Sequence, residues 1–94
     1  TMSGFTAGMV SRYKPNCKII GCTTNPVVYR QINLMWGVVP LQISEEDTTE
    51  ALFAEAIGSA KKAGLIRTGD TVVLTAGVPL GISGRTNMVR VETV

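Results

Sequence analysis

Hydrophobic and polar positions alternate along this chain in two distinct rhythms. Near the amino end, Ser3 and Gly4 lead into a run with Phe5, Met9, Val10 and Tyr13 on one helical face, and Pro15 and Asn16 close it. Lys18-Ile19-Ile20-Gly21-Cys22-Thr23 is short and largely apolar, as a strand inside a sheet would be. Thr24-Asn25-Pro26 predicts a helix start, a polar cap followed by proline at the first helical position. Val28, Ile32 and Met35 supply its apolar stripe, with Gly37 as its stop, and Val38–Ile43 reads as a strand. Pro40 removes a ladder donor and assigns that strand to a sheet edge.

The second half repeats the scheme. Asp47, Thr48 and Glu50 form the capping end of a helix in which Leu52, Phe53, Ala56, Ile57, Ala60 and Ala63 recur at helical spacing, and Gly64 ends it. Thr71–Thr75 reads as a buried strand. Asn87–Val94 alternates, with Arg90 and Glu92 on one side and Val89 and Val91 on the other, so its charged side is expected to face water. Helices alternating with strands predict an α/β domain of three α/β/α layers, with a mostly parallel sheet and an antiparallel last strand.

Composition narrows the function classes. Of 94 residues, 45% are hydrophobic and 17% charged, which describes one globular domain. The net charge of +2 is small and its cations are scattered without interleaved aromatics, so nucleic acid is not an expected partner. No apolar run spans a membrane. Histidine is absent, which removes the commonest general base and metal ligand. Cys17 and Cys22, placed on one strand with opposite facing, read as reduced packing residues of a cytoplasmic protein. Trp36 reads as packing, and Glu45, Glu46, Asp47 and Glu50 as a solvated helix start. The opening Thr1 and the strand-like end at Val94 suggest a piece of something longer.

Two loops could carry function. Thr1-Met2-Ser3-Gly4-Phe5-Thr6 runs into a helix, and backbone N–H groups beside small hydroxyl residues suit a phosphate. The competing reading is that Ser3 only caps the helix. Gly77–Thr86 follows the carboxyl end of a strand, where open α/β sheets place ligands, and Arg85 could meet an anion. Its competing reading is a connection whose glycines serve its turns. Neither loop is a Walker A or GxGxxG motif.

Taken in order, the motifs resemble the C-terminal domain of pyruvate kinases, in their bacterial form. The resemblance lies in Thr1-x-Ser3-Gly4-x-Thr6-Ala7, Met9-Val10-Ser11-x-Tyr13-Lys14-Pro15, Ile19-Ile20, Trp36-Gly37-Val38, Ala63-Gly64-Leu65 and Gly69-Asp70-Thr71-Val72-Val73. It continues through Thr75-Ala76-Gly77-Val78-Pro79, Gly81-x-Ser83-Gly84-x-Thr86-Asn87 and Val89-x-Val91, so it covers essentially all of residues 1–94.

The resemblance implies a regulatory domain of an enzyme that transfers phosphoryl from phosphoenolpyruvate to ADP in glycolysis, with Mg²⁺ and K⁺ bound elsewhere in the parent enzyme. The chain by itself is expected to be catalytically inactive and to hold neither a cofactor nor a metal. It implies a phosphorylated small-molecule effector gripped by Thr1, Ser3, Gly4, Phe5 and Thr6. A last loop, with Gly81, Ser83, Gly84, Arg85 and Thr86, would close over the sugar. Glu50, Ala51 and Leu52 stand where bisphosphate-binding relatives carry a basic residue, which favours a monophosphate such as AMP or ribose 5-phosphate. The implied partners are the rest of the pyruvate kinase chain and further copies in a homo-oligomer, a tetramer in the parent. Family domains also hold two helices and a strand upstream, that strand central in the order 3-2-1-4-5, so residues 1–94 are expected to be an amino-terminally incomplete domain. The alternatives are an oligomerisation module alone, or a stand-alone sugar-phosphate-binding protein of the same fold.

Overall fold

The computed structural model describes residues 1–77 and 86–94. Its elements are α1 (Phe5–Arg12), β1 (Ile19–Thr23), α2 (Pro26–Ile32), β2 (Val38–Gln42), α3 (Thr49–Lys62), β3 (Thr71–Ala76) and β4 (Met88–Thr93), in two compact units, Thr1–Ile43 and Ser44–Val94.

In the first unit β1 and β2 pair in parallel, Ile19 opposite Val38 and Gly21 opposite Pro40. The crossover helix α2 starts where the Asn25-Pro26 pair predicts. The Asn25 side chain accepts from the N–H groups of Val27 at 2.8 Å and Val28 at 3.4 Å, two donors that a helix start otherwise leaves unmet. Ala7, Val28, Ile32 and Val38 form the core, with Ile19 and Met35 packed against it. Gly21 makes this possible: a Cβ there would lie 3.0 Å from Ile32 and 3.1 Å from Val38. Helix α2 ends at Ile32, short of Gly37, whose φ of 69° instead turns the chain into β2.

Helix α1 faces inward differently from its apolar pattern. Gly4, Ala7 and Ser11 are buried, whereas Phe5, Val10 and Tyr13 are exposed. Small residues at helical spacing let the helix approach β1 closely, and the buried Ser11 hydroxyl donates to the Trp36 carbonyl at 2.6 Å.

In the second unit α3 is capped by Thr48, whose hydroxyl oxygen accepts from the Ala51 N–H at 3.1 Å. It buries Phe53, Ala56 and Ala60. Strands β3 and β4 pair antiparallel, Val73 opposite Val91 and Leu74 opposite Arg90. Their faces correct the expectation for the last strand. Val73, Val89 and Val91 are exposed, while Arg90 and Glu92 lie on the half-buried side with Val72 and Leu74. The Arg90 guanidinium sits 4.9 Å from the Phe53 ring centroid and is paired with acidic groups, so its charge is met inside the unit.

The α/β class holds, with parallel pairing early and an antiparallel last strand. The four strands form two sheets of two rather than a single sheet. Among the described residues β1 pairs only with β2 and β3 only with β4. Pro40 lies on a strand with a single partner, where its missing donor is tolerated. Cys17 is exposed in the bend before β1 and only Cys22 is on the strand, because the chain does not become extended until Ile19.

Candidate functional site

The head of α1 brings together Thr1, Ser3, Gly4, Phe5 and Thr6. Gly4 is the N-cap residue with φ 82°, a left-handed conformation suited to glycine, and no side chain caps the helix through it. The hydroxyls act one step earlier. The Gly4 N–H donates to Thr1 Oγ1 at 2.8 Å, and the Phe5 N–H donates to Ser3 Oγ at 3.3 Å. Ser3 therefore organises the loop instead of capping the helix as its position suggested. The Gly8 N–H donates to the Gly4 carbonyl at 2.9 Å and begins the helical ladder.

The Thr1 and Ser3 hydroxyls thus engage the Gly4 and Phe5 N–H groups in a turn at the positive end of a helix dipole. The Thr1 backbone nitrogen donates to the Cys22 carbonyl at the end of β1. Burial pushes the Cys22 thiol up.

Charge is segregated in a way that whole-chain composition conceals. Arg12, Lys14, Lys18 and Arg30 are the charged side chains of the first unit, and not one aspartate or glutamate occurs between Thr1 and Ile43. All seven carboxylate side chains lie in Ser44–Val94. A net charge of +2 averages a cationic unit with an acidic one, and counting by halves would have revealed it. The α1 loop therefore lies in a unit with no side chain that repels an anion.

A groove of about 400 Å³ continues from Ser3 along α1 to Arg12. Trp36, expected to be packed, is 56% exposed, with the Lys14 ammonium 5.6 Å from its ring centroid. Gly81, Ser83, Gly84 and Arg85 lie outside the described residues, and Thr86 is exposed just ahead of β4. Among the described residues no cluster of histidine, cysteine or acidic side chains could hold a metal ion, and no helix is long and apolar enough to cross a membrane.

An α/β domain whose first unit is cationic, with a hydroxyl-rich turn at the head of α1, is the class that these features define. The family model for the pyruvate kinase alpha/beta domain matches residues 1–92. The whole chain is 40% identical to a pyruvate kinase of Geobacillus stearothermophilus and 36% identical to one of Lactobacillus delbrueckii subsp. bulgaricus. It is 38% identical to one of Staphylococcus aureus strain USA300. All of the chain aligns in each case, and it spans 16% of each relative's length. The chain belongs to the pyruvate kinase alpha/beta-domain family, and it corresponds to the C-terminal domain of those enzymes.

Proposed function

We propose that this chain is the effector-binding part of a cytoplasmic pyruvate kinase, an enzyme passing phosphoryl from phosphoenolpyruvate to ADP. In this reading it supplies regulation and not catalysis. The Mg²⁺ and K⁺ of the reaction belong to the remainder of the enzyme, which is its covalent partner, and further copies complete a homo-oligomer, a tetramer. The effector is a phosphorylated small molecule, a monophosphate such as AMP or ribose 5-phosphate, held by Thr1, Ser3, Gly4, Phe5 and Thr6.

The supporting observation is the loop itself: amides and hydroxyls ordered around a left-handed Gly4, at the head of a helix, in a unit without acidic side chains. Gly81, Ser83, Gly84, Arg85 and Thr86 enter this reading by resemblance alone. Calorimetric titration with AMP, ribose 5-phosphate and fructose 1,6-bisphosphate tests it. A saturable heat with the monophosphates is expected, lost in the Ser3→Ala/Thr6→Ala double variant, since each charge-assisted hydrogen bond contributes roughly 1.5–3 kcal/mol. An unchanged affinity in that variant would place the phosphate elsewhere.

A second reading, an oligomerisation module, is favoured by the uncharged outer face of β3 and β4 with Val73, Val89 and Val91 exposed. Sedimentation separates the two: self-association without ligand binding would favour it.

A further inference from the structure

We propose that the surface where the carboxyl end of α1 meets residues 33–37 is a docking site for a protein partner, an acidic segment that also carries apolar side chains. Tyr13, Leu34 and Trp36 are 80%, 88% and 56% exposed, and Val10 lies open on the last turn of α1. Two stretches remote in sequence come together here. The buried Ser11 hydroxyl donates to the Trp36 carbonyl at 2.6 Å, and the Lys14 ammonium stands 5.6 Å from the Trp36 ring centroid. Tryptophan and tyrosine are the residues that anchor binding surfaces, and exposed apolar side chains gathered in one place mark an interaction site.

The occupant follows from charge. Arg12, Lys14, Lys18 and Arg30 share a unit without aspartate or glutamate, so no side chain of Thr1–Ile43 offers Lys14 a carboxylate. Its ammonium rests on an aromatic face instead, and an acidic partner complements it. The surface is also built before a partner arrives. Lys14 holds φ 45°, unfavourable for a residue with a Cβ, and its N–H donates to the Ser11 carbonyl at 3.1 Å. The Leu34 N–H donates to the Gln31 carbonyl at 3.2 Å and the Met35 N–H to the Ile32 carbonyl at 2.9 Å, while Met35 packs against the core. Backbone already ordered loses little freedom on docking, which favours binding. Val10 and Leu34 give a nucleic acid nothing to stack on, which favours a protein segment.

Trp36 is the only tryptophan of the chain, so its fluorescence reports on this surface alone. The test titrates the full chain with a synthetic peptide alternating glutamate with leucine and phenylalanine, with the same peptide carrying lysine for glutamate, and with oligouridylate. The glutamate peptide is expected to move Trp36 emission saturably to the blue, and to bind more weakly as salt rises. Lys14→Gly, which suits φ 45°, and Leu34→Ser, at an exposed position, should each preserve the circular dichroism of the chain and weaken that peptide about tenfold. No saturable shift with the glutamate peptide, an equal one with the lysine peptide, or unchanged affinity in both variants would overturn the proposal. A response to oligouridylate alone would give the surface to single-stranded nucleic acid. A blue shift that grows with protein concentration before any peptide is added would give it to a second copy of the chain. Either result would overturn the acidic partner.

Discussion

Arg90 grips Glu50 with both terminal guanidinium nitrogens, at 2.5 and 3.0 Å, across forty positions of sequence. One nitrogen also reaches Glu92 at 3.2 Å, and the guanidinium lies over the Phe53 ring. This arrangement ties the first turn of α3 to the last strand. The hydrogen bond from Arg90, then its charge, holds the Glu50 carboxyl below its ordinary value. A lowered folded-state value means that the stabilisation is present above the unfolded-state value and is lost as the pH falls through the folded one. Glu50→Gln should therefore flatten the acid limb of the stability curve. Because Glu50 is largely exposed, the difference from the native chain should shrink in high salt. Arg90→Lys should be more damaging than its charge conservation suggests, since ammonium cannot match a two-nitrogen grip. Denaturant titrations across pH and salt check both.

Gly21→Ala should destabilise the first unit by about 1–3 kcal/mol, the usual cost of overpacking. The added methyl would meet Ile32, which is fully buried, and Val38, at 3.0 and 3.1 Å. Thermal unfolding reads this directly, and an unchanged transition would contradict the packing described.

Asn25→Ala should cost about 1 kcal/mol through loss of the α2 cap, with the Val27 and Val28 amides reporting faster hydrogen exchange. Asn25→Asp should recover much of the loss, because a carboxylate accepts from the same two donors.

Gly4→Ala should cost about 1–2 kcal/mol, since φ 82° is unfavourable for any residue with a Cβ. The methyl would also approach Met35 at 3.4 Å. If the loop holds a phosphate as proposed, binding should fall further than stability does, because the turn that places Thr1 and Ser3 depends on that conformation. Parallel unfolding and binding measurements separate the two effects.

An alkylating reagent should modify Cys17 well before Cys22. Cys17 is exposed in a bend, whereas Cys22 is half-buried on β1 with its thiol raised by burial and thus poor in thiolate. Mass spectrometry of a time course shows the order.

The elements were legible where local chemistry decides them. Asn25-Pro26 and Thr48 announce helix starts because a side-chain oxygen meets free amides whatever surrounds them. Facing was less legible. The apolar side of α1 points outward, because three small residues at helical spacing, Gly4, Ala7 and Ser11, allow a closer approach than Phe5 or Tyr13 could. On β4 the charged side turns inward because Glu50 and Phe53, remote in sequence, satisfy Arg90. At the candidate site the loop Thr1–Thr6 was readable as small hydroxyl residues before a helix. The groove was not, since Met35 joins α1 only through the fold.

The most direct measurement of the central claim is the response of backbone amides to ribose 5-phosphate. Saturable movement concentrated at Gly4–Ala7, abolished in the Ser3→Ala/Thr6→Ala variant, is the expected result. No movement there in a folded sample, or equal movement spread over Lys14, Lys18, Arg30 and Lys61, would contradict a phosphate site at the head of α1.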